Sequence, residues 1–266
     1  IYGKIPVNLT WINLPLASQI RVGYTITLQG QLSIEGVSDY NDRYVTLTIL
    51  YGGSIAPQFK NGRCDSAGNL SYTITIEDGY DNVTFLIEFT GTATEAYAIN
   101  STYYNILPKW NVNLLLSGID ASTRIGYQVP IQINASLADP LSPESLFGLE
   151  IEITFTYNGG ATQIQYSRFL DINGVISFFF TIPQDCGTNM IVNIEFQGTT
   201  KIDSANLNIN YPIQPKWNLN VEFVNFPSSM FEGLEFLMIV KASFHHSNPT
   251  GSLFGLIINL KFQYSG

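Results

Sequence analysis

Histidine, a frequent general base and metal ligand, occurs only at His245 and His246. Adjacent residues of a strand point to opposite faces, so these two imidazoles are poorly placed to share a metal ion. Residues 1–244 contain no histidine, and neither a Ser-His-Asp nor a Cys-His catalytic arrangement can form there. We therefore expect a solvent-exposed turn at His245 and His246, and no nucleophilic catalysis in the preceding chain.

Paired carboxylates are the other arrangement with catalytic potential, in this case for glycoside hydrolysis. Glu150 and Glu152 share one face of a predicted strand. They alternate with Ile151 and Ile153, so the glutamates occupy the face that is exposed to solvent. No catalytic residue is predicted, and we expect that the protein is not an enzyme.

Asp65 and Asp171 each precede a glycine-containing turn that resembles part of an oxygen-ligand calcium loop. Only the turn that begins at Asp171 keeps an Asn, and no Glu follows at the spacing that closes such a loop. The residues are also explained if each Asp caps its own turn and the Gly adopts positive φ. Ca²⁺ at these turns, or at the junctions described below, stays an alternative; no other cofactor is predicted.

Asn-X-Ser/Thr sequons, which accept N-linked glycans in exported proteins, begin at Asn8, Asn69, Asn82, Asn100 and Asn134. A chain so rich in Asn, Ser and Thr would contain roughly four sequons by chance, so their number alone predicts nothing. If the protein is exported into a glycosylating environment, sequons on exposed turns or strand faces would be modified. Asn82 and Asn100 are the best candidates.

The elements that position these residues recur along the chain. Residues 108–114, Pro-Lys-Trp-Asn-Val-Asn-Leu, match residues 215–221, Pro-Lys-Trp-Asn-Leu-Asn-Val, 107 residues later. In the same register, residues 145–149 match residues 252–256. The first part of the chain is more diverged, but its Arg-Val-Gly-Tyr at residues 21–24 corresponds to a later Arg-Ile-Gly-Tyr. Such self-similarity predicts a tandem array.

We predict three repeats, at residues 1–107, 108–214 and 215–266. The third repeat stops about halfway through a unit, so we expect the chain to be a fragment of a longer array. Half a sandwich leaves an open edge and a bare inner face. Either further chain completes the third repeat, or a neighbouring molecule donates a strand to it.

Within each repeat the hydrophobic pattern has a period of two residues, as in residues 45–49, 72–76 and 151–157. This pattern is typical of strands with one buried face and one solvated face. Glycine-containing turns separate the strands, for example at Gly52-Gly53 and Asn173-Gly174. About seven short strands per repeat predict an all-β fold of tandem immunoglobulin-like β-sandwich domains.

The predicted junctions between repeats contain Pro108, Trp110, Pro215 and Trp217. Proline removes conformations from a linker and favours an extended rod. Each Trp ring either packs into the start of its own sandwich or wedges between neighbouring units. The sequence does not decide between these two structural roles.

Cys64 and Cys186 are the only cysteines, and they occupy different points of their respective repeats. A disulfide within each repeat is therefore excluded. The sequence predicts two free thiols, with a bridge between repeats as the alternative.

The composition limits the partners of the protein. A net charge of −9 and a pI near 4.6 argue against nucleic-acid binding, because no basic patch is present to displace phosphate counterions. No stretch approaches the roughly 20 apolar residues of a membrane helix, so we expect no membrane insertion of this segment. Charged residues make up only 12% of the chain, about half the usual share, which is typical of β-rich extracellular proteins.

Two short motifs carry a resemblance to a known family. They are the Asp-x-x-Gly-x-[Leu/Ile]-Ser turns at residues 65–71 and 171–177, and the Phe-x-Gly-Thr segments at residues 89–92 and 196–199. The chain here resembles the immunoglobulin-like repeats of bacterial and archaeal cell-surface proteins. The resemblance implies an extracellular location at a cell surface. The Asn, Ile and Tyr bias of the chain resembles that of archaeal proteins.

Such repeats serve as stalks, adhesins, envelope-layer subunits and spacers of secreted enzymes. We expect a non-catalytic structural component, namely a stalk, envelope-layer or filament subunit whose partners are further repeats and neighbouring copies in a lattice or filament. One alternative is an adhesin that binds surface glycans or another cell. The other is a set of spacer domains in a larger secreted enzyme.

Overall fold

The structure is a computed structural model, and it describes residues 3–54, 56–225, 235, 238–245, 258–259 and 261. The regular secondary structure of these residues is almost entirely β. Two short 3-10 helices, Ala17–Gln19 and Asn158–Gly160, are the only helices in the described residues, and no helix there is long and apolar enough to cross a membrane. The strands are β1 (Val7–Asn13), β2 (Thr25–Ile34), β3 (Tyr44–Tyr51), β4 (Gln58–Arg63), β5 (Asn69–Thr75), β6 (Asn82–Phe89), β7 (Ala98–Asn105), β8 (Val112–Ser117), β9 (Gln128–Leu137), β10 (Glu150–Tyr157), β11 (Thr162–Phe169), β12 (Val175–Thr181), β13 (Asn189–Phe196), β14 (Ala205–Pro212), β15 (Leu219–Asn225) and β16 (Ile239–Phe244).

The first seven strands form two antiparallel sheets, with the orders β1-β2-β5 and β4-β3-β6-β7. Alternate residues of the strands are buried, as the period-two pattern predicts. Both sheets contribute to one hydrophobic cluster, in which Leu28, Leu47 and Phe85 are completely buried. The two sheets are therefore the halves of a sandwich, which we call the first sandwich.

The next seven strands repeat this arrangement. Their sheets have the orders β8-β9-β12 and β11-β10-β13-β14, and a separate hydrophobic cluster lies between them. At its centre the ring of Phe155 stacks on that of Phe180, with 4.0 Å between the centroids. We call this unit the second sandwich.

The predicted fold class is confirmed: the chain is all-β, and each sandwich has seven strands in an immunoglobulin-like arrangement. In immunoglobulin constant domains the fourth strand belongs to the sheet of the first, second and fifth strands. Here β4 pairs with β3 and β11 pairs with β10, so each sandwich has three strands in one sheet and four in the other. Cys64 and Cys186 are free and buried, so neither core is cross-linked.

Beyond residue 214 the described residues form an antiparallel strand pair, β15 and β16. The register shifts between Phe223 and Asn225, as it does between Trp11 and Asn13 in the pair of β1 and β2. The predicted matches at residues 252–256 lie outside the described residues, as does His246. The division into repeats at 1–107, 108–214 and 215–266 stays a prediction.

Candidate functional site

The backbone passes from the first sandwich to the second without a free linker. Leu107 forms a parallel bridge with Arg21 of the first sandwich, and Trp110 forms one with Ile202 of the second. Only two residues, 108 and 109, separate these bridges, so the chain leaves one sandwich and pairs with the next almost at once. We call the segment Leu107–Trp110, together with the side chains that contact it, the first joint.

The indole of Trp110 occupies the centre of the first joint. The guanidinium carbon of Arg21 lies 3.5 Å from the centroid of the indole, a cation–π contact, and the same guanidinium donates a hydrogen bond to the carbonyl of Pro108. The indole N–H donates to the hydroxyl of Tyr24 at 2.9 Å. The ring also packs against the core cluster of the second sandwich. The ring thus packs into the start of its own sandwich and also contacts the preceding sandwich.

The hydroxyl of Tyr24, from the first sandwich, is the hub of a polar network with the second. It donates to Oε1 of Glu144 at 2.7 Å. Lys201 Nζ lies 3.2 Å from the same oxygen and 4.7 Å from the centroid of the Tyr24 ring. Burial raises the pKa of Tyr24, and Glu144 adds to the rise. The phenol therefore stays protonated and keeps its hydrogen bond to Glu144.

A tight backbone contact and an ion pair complete the first joint. Gly23 has a φ of +79°, and a Cβ atom at this position would overlap the carbonyl oxygen of Thr200 in the second sandwich. Only glycine permits this approach. Nearby, Lys109 Nζ lies 2.7 Å from Oδ2 of Asp78, and this hydrogen-bonded lysine lowers the pKa of the Asp78 carboxyl.

The same joint forms a second time. The guanidinium carbon of Arg124 lies 3.6 Å from the centroid of Trp217, and Arg124 donates to the carbonyl of Pro215 at 2.8 Å. The indole N–H of Trp217 donates to the hydroxyl of Tyr127 at 3.0 Å. The far side of this second joint is Phe244 of β16, whose ring lies edge-on to Trp217 at 6.0 Å.

The sequence indicates the prolines and tryptophans of the joints but not the arginines and tyrosines. The Arg-x-Gly-Tyr motif was visible as a repeated feature at residues 21–24 and 124–127, and that repetition was the available signal. Its role was hidden because Arg21 and Trp110 are 89 residues apart in the chain. Nothing local to either residue indicates that they meet.

Asn82 and Asn100, the best glycan acceptors predicted from the sequence, are both half-buried, as are Asn69 and Asn134, whereas Asn8 is exposed. The side-chain amide of Asn100 is half-buried and donates to the carbonyl of Leu9 at 3.0 Å. The carboxamide of Asn82 packs so closely on Gly52 that a Cβ atom there would overlap it. Both sequons belong to strands of the four-stranded sheet, whereas Asn8, Asn69 and Asn134 lie in the three-stranded sheets.

The two aspartate turns are closed by their own backbone. Oδ1 of Asp171 accepts hydrogen bonds from the amides of Asn173 and Val175, both at 2.8 Å. Asp65 accepts corresponding bonds from residues 67 and 69, and the hydrogen bond from the Asn69 side chain is the largest cause that lowers its pKa. These carboxylates thus act as turn caps.

The remaining chemistry-bearing residues are dispersed. Glu150 and Glu152 are exposed on the outer face of β10, and Glu150 accepts a hydrogen bond from Ser167. His245 is exposed directly after β16, and its backbone N–H donates to the carbonyl of Asn218. No group of three or more His, Cys, Asp or Glu side chains in the described part of the chain is placed to hold a metal ion.

No protein-family model and no curated protein matches the sequence. The chain is similar to the solved tetra-tandem repeat in the extending region of a large adhesion protein, with a TM-score of 0.36, 11% identity and coverage of 83% of this chain and 52% of that one. It is also similar to native E. coli alpha-2-macroglobulin, with a TM-score of 0.32, 10% identity and coverage of 88% of this chain and 16% of that one. A marsupial T cell receptor is similar with a TM-score of 0.32, 13% identity and coverage of 77% of this chain and 74% of that one. The chain thus spans about half of the first of these proteins and a small part of the second. The immunoglobulin-like assignment rests on the strand pairing and the two cores described above.

Proposed function

We propose that the protein is a non-catalytic structural component of a cell surface, in which immunoglobulin-like repeats are held in fixed register to give a semi-rigid extended array. The observation that carries this proposal is the joint that forms twice from the same residue types: Arg over Trp, Trp to Tyr, and Arg to the carbonyl of Pro. A flexible string of domains has no need for such a joint. A spacer whose function is reach does need one, because reach depends on the angle between its units.

The rest of the first joint supports the same role. The bridges at Leu107 and Trp110 leave two residues between sandwiches, and Gly23 brings the two backbones into direct contact. The small charged fraction and the resemblance to prokaryotic surface repeats support a location outside the cell, at its surface. On this proposal the repeat boundaries are those given by the sequence, at residues 107 and 214.

The test is a distance measurement between the first two sandwiches. Spin labels on cysteines introduced at Glu35 and Ile172, both in exposed turns, report this distance by pulsed electron resonance. The native Cys64 and Cys186 are buried, so we expect them to stay unlabelled in the folded protein. We expect one narrow distance distribution, and a broad distribution once Trp110→Ala removes the centre of the first joint.

Trp217→Ala is the matched control, because it removes the equivalent ring from the second joint and leaves the first intact. It should leave the distribution between the two labels narrow. A broad distribution in the unaltered protein would overturn the proposal, since units that move freely cannot act as a rigid spacer.

A second candidate function, adhesion through glycan binding, is favoured by a groove beside the first joint. The groove has a volume of about 680 Å³, and aromatic, amide and hydroxyl groups line it, among them Asn13, Gln19, Tyr24, Thr27 and Trp110. An aromatic wall with hydrogen-bonding groups, to which the charged Arg21 also belongs, suits a sugar, and the volume is that of a small-molecule site. Calorimetric titration with neutral oligosaccharides tests this candidate: saturable binding that Trp110→Ala abolishes supports it, and the absence of heat rejects it.

A further inference from the structure

The six strands of the two three-stranded sheets contain no charged residue. This holds for β1, β2 and β5 of the first sandwich and for β8, β9 and β12 of the second. The four-stranded sheets differ, with charges on β4, β6, β10, β11 and β13. A solvated protein surface normally carries charged residues of both signs, which limit its association with other surfaces. The faces of the three-stranded sheets that point away from the cores, here called the neutral faces, lack this protection.

Apolar side chains are exposed on the neutral face of the second sandwich. Leu115 of β8 is 62% exposed and Phe179 of β12 is 69% exposed. Leu115 lies opposite Asn134 on the central strand β9, and Val175 lies opposite Asn134 from the other side. Asn134 is therefore the polar centre of an apolar row, and it begins the sequon Asn134-Ala135-Ser136.

The side chain of Asn134 is arranged so that a glycan can be attached without loss of a native hydrogen bond. Its Oδ1 accepts from Nε2 of Gln132 at 3.2 Å. An N-glycosidic linkage is made at Nδ2 and keeps the carbonyl oxygen, so this hydrogen bond persists after modification. The attached sugar would extend from the face over Leu115 and Val175.

Asn8 provides a corresponding position on the neutral face of the first sandwich. It is exposed on the edge strand β1, opposite Ser33 of β2. Within the described residues no hydrogen bond involves its side chain. A glycan there breaks no hydrogen bond of the Asn8 side chain.

In the other three sequons, the side-chain amide of the Asn makes contacts within the fold. Nδ2 of Asn69 donates to Oδ2 of Asp65 inside the turn that leads into β5. Nδ2 of Asn100 donates to a main-chain carbonyl of β1 from a half-buried position, and Asn82 packs on a glycine. A glycan at any of these sites would disturb a contact of the fold.

We infer that Asn8 and Asn134 carry N-linked oligosaccharides, which cover the neutral faces of the two sandwiches, and that Asn69, Asn82 and Asn100 stay unmodified. In the reaction, Nδ2 of the Asn attacks the anomeric carbon of a lipid-diphosphate-linked oligosaccharide. The C–N bond forms, the bond from the anomeric carbon to the phosphate oxygen breaks, the lipid diphosphate leaves, and Nδ2 loses one proton to a base of the transferase. The inference rests on the extracellular location proposed above, because oligosaccharide transfer accompanies export.

The test is glycopeptide mass spectrometry on the protein isolated from the cells that make it, together with its distribution between surface and cytosolic fractions. We expect surface protein in which the peptides of Asn8 and Asn134 carry glycan mass and the peptides of Asn69, Asn82 and Asn100 do not. Surface protein in which Asn8 or Asn134 is unmodified, or in which Asn69, Asn82 or Asn100 carries a glycan, overturns this inference and leaves the proposed location intact. Protein confined to the cytosol overturns both.

A pair of substitutions tests whether the glycan covers the apolar row. Ser136→Ala destroys the sequon and keeps Asn134, whereas Ser136→Thr preserves the sequon at the same exposed position. We expect the Ser136→Ala protein to lose the mass of one glycan and to be retained longer on a hydrophobic column, and the Ser136→Thr protein to match the native protein. Loss of the glycan without any change in retention would show that the sugar does not cover Leu115, and would overturn the covering role.

Discussion

The guanidinium of Arg21 lies 3.5 Å from the centre of the Trp110 indole, although the two residues belong to different sandwiches. Arg124 and Trp217 repeat the contact at 3.6 Å. In each case the arginine also holds the carbonyl of the proline that precedes the tryptophan by two residues. One side chain thus contacts both the backbone of the joint and its aromatic centre.

The first prediction concerns that arginine. Arg21→Lys keeps the positive charge but loses the planar group that contacts the indole and the fork that reaches the proline carbonyl. We expect a coupling free energy of about 0.5–2 kcal/mol between Arg21 and Trp110. It is measured by chemical unfolding of the native protein, Arg21→Ala, Trp110→Ala and the double variant, which form a double-mutant cycle. Arg21→Lys should lose most of this energy. A coupling near zero, or a lysine variant equal to the native protein, would contradict the assigned role.

The second prediction separates backbone strain from the contact between sandwiches. Gly23 and Gly36 have similar φ angles, +79° and +75°, but a Cβ atom at Gly23 would overlap Thr200, whereas a Cβ atom at Gly36 meets nothing within 4 Å. Gly36→Ala should lower the free energy of unfolding by about 1–2 kcal/mol through its left-handed backbone alone. Gly23→Ala should cost more and should also shift the distance between spin labels at Glu35 and Ile172.

Equal effects of the two alanines on stability, with an unchanged label distance, would show that Gly23 is not a contact between sandwiches. Thermal unfolding and the resonance measurement together distinguish these outcomes.

The parts of the structure that depend on local pattern could be predicted from the sequence. Residues 151–157 alternate between apolar and polar side chains, and they form β10 with buried residues at Ile151, Ile153 and Phe155. Pro108 and Trp110 were identified as junction residues because the motif recurs. In both cases the information lies within a few residues, or in a repetition that can be aligned.

The partners of the joint could not be predicted, because they depend on how remote segments meet. The two arginines are 103 residues apart and the two tryptophans 107, so even the repeat does not align them as one motif. Asn100 shows the same limit on a smaller scale. It lies opposite Ile87, on the inward side of β7, but the mixed polar sequence of this edge strand does not reveal which side faces the core.

The third prediction concerns acid pH. The hydrogen bond from the Asn69 side chain, with the backbone amides of the turn, holds the pKa of Asp65 below its ordinary value of 3.8. A carboxyl whose pKa is lowered by folding contributes stability above pH 3.8, and that contribution is lost as the pH falls through the folded value. We expect the melting temperature to fall below about pH 4, and to fall less steeply in Asp65→Asn, which keeps an oxygen acceptor but cannot be protonated in this range.

Glu35→Gln is the control for this measurement, since it removes a carboxylate from an exposed turn and no hydrogen bond of the described residues involves the Glu35 side chain. The melting temperature of Glu35→Gln should fall with decreasing pH as steeply as that of the native protein. If the melting temperature of Asp65→Asn falls below pH 4 as steeply as that of the native protein, the turn does not stabilise the ionised carboxylate.

The last prediction concerns alkaline pH and the thiol of Cys64, which is 3% exposed in the core of the first sandwich. Burial raises the pKa of this thiol from 9.0 to about 11. Below pH 9 the thiol is neutral in both the folded and the unfolded chain, so its full contribution to the free energy of unfolding is present. Between pH 9 and 11 only the unfolded chain releases the proton, and the free energy of unfolding should fall by at most about 1.4 kcal/mol per pH unit from this group.

Thermal unfolding from pH 8 to 10, compared between the native protein and Cys64→Ala, isolates this contribution. The alanine variant should be less stable at pH 8, because it leaves a small cavity, and the difference should narrow as the pH rises. The folded protein should also resist a thiol reagent at pH 8 and react at both cysteines once it is unfolded, because the thiolate is the reactive form and burial suppresses it. Rapid labelling of Cys64 in the folded state, or a stability difference that does not depend on pH, would contradict the placement of this thiol in the core.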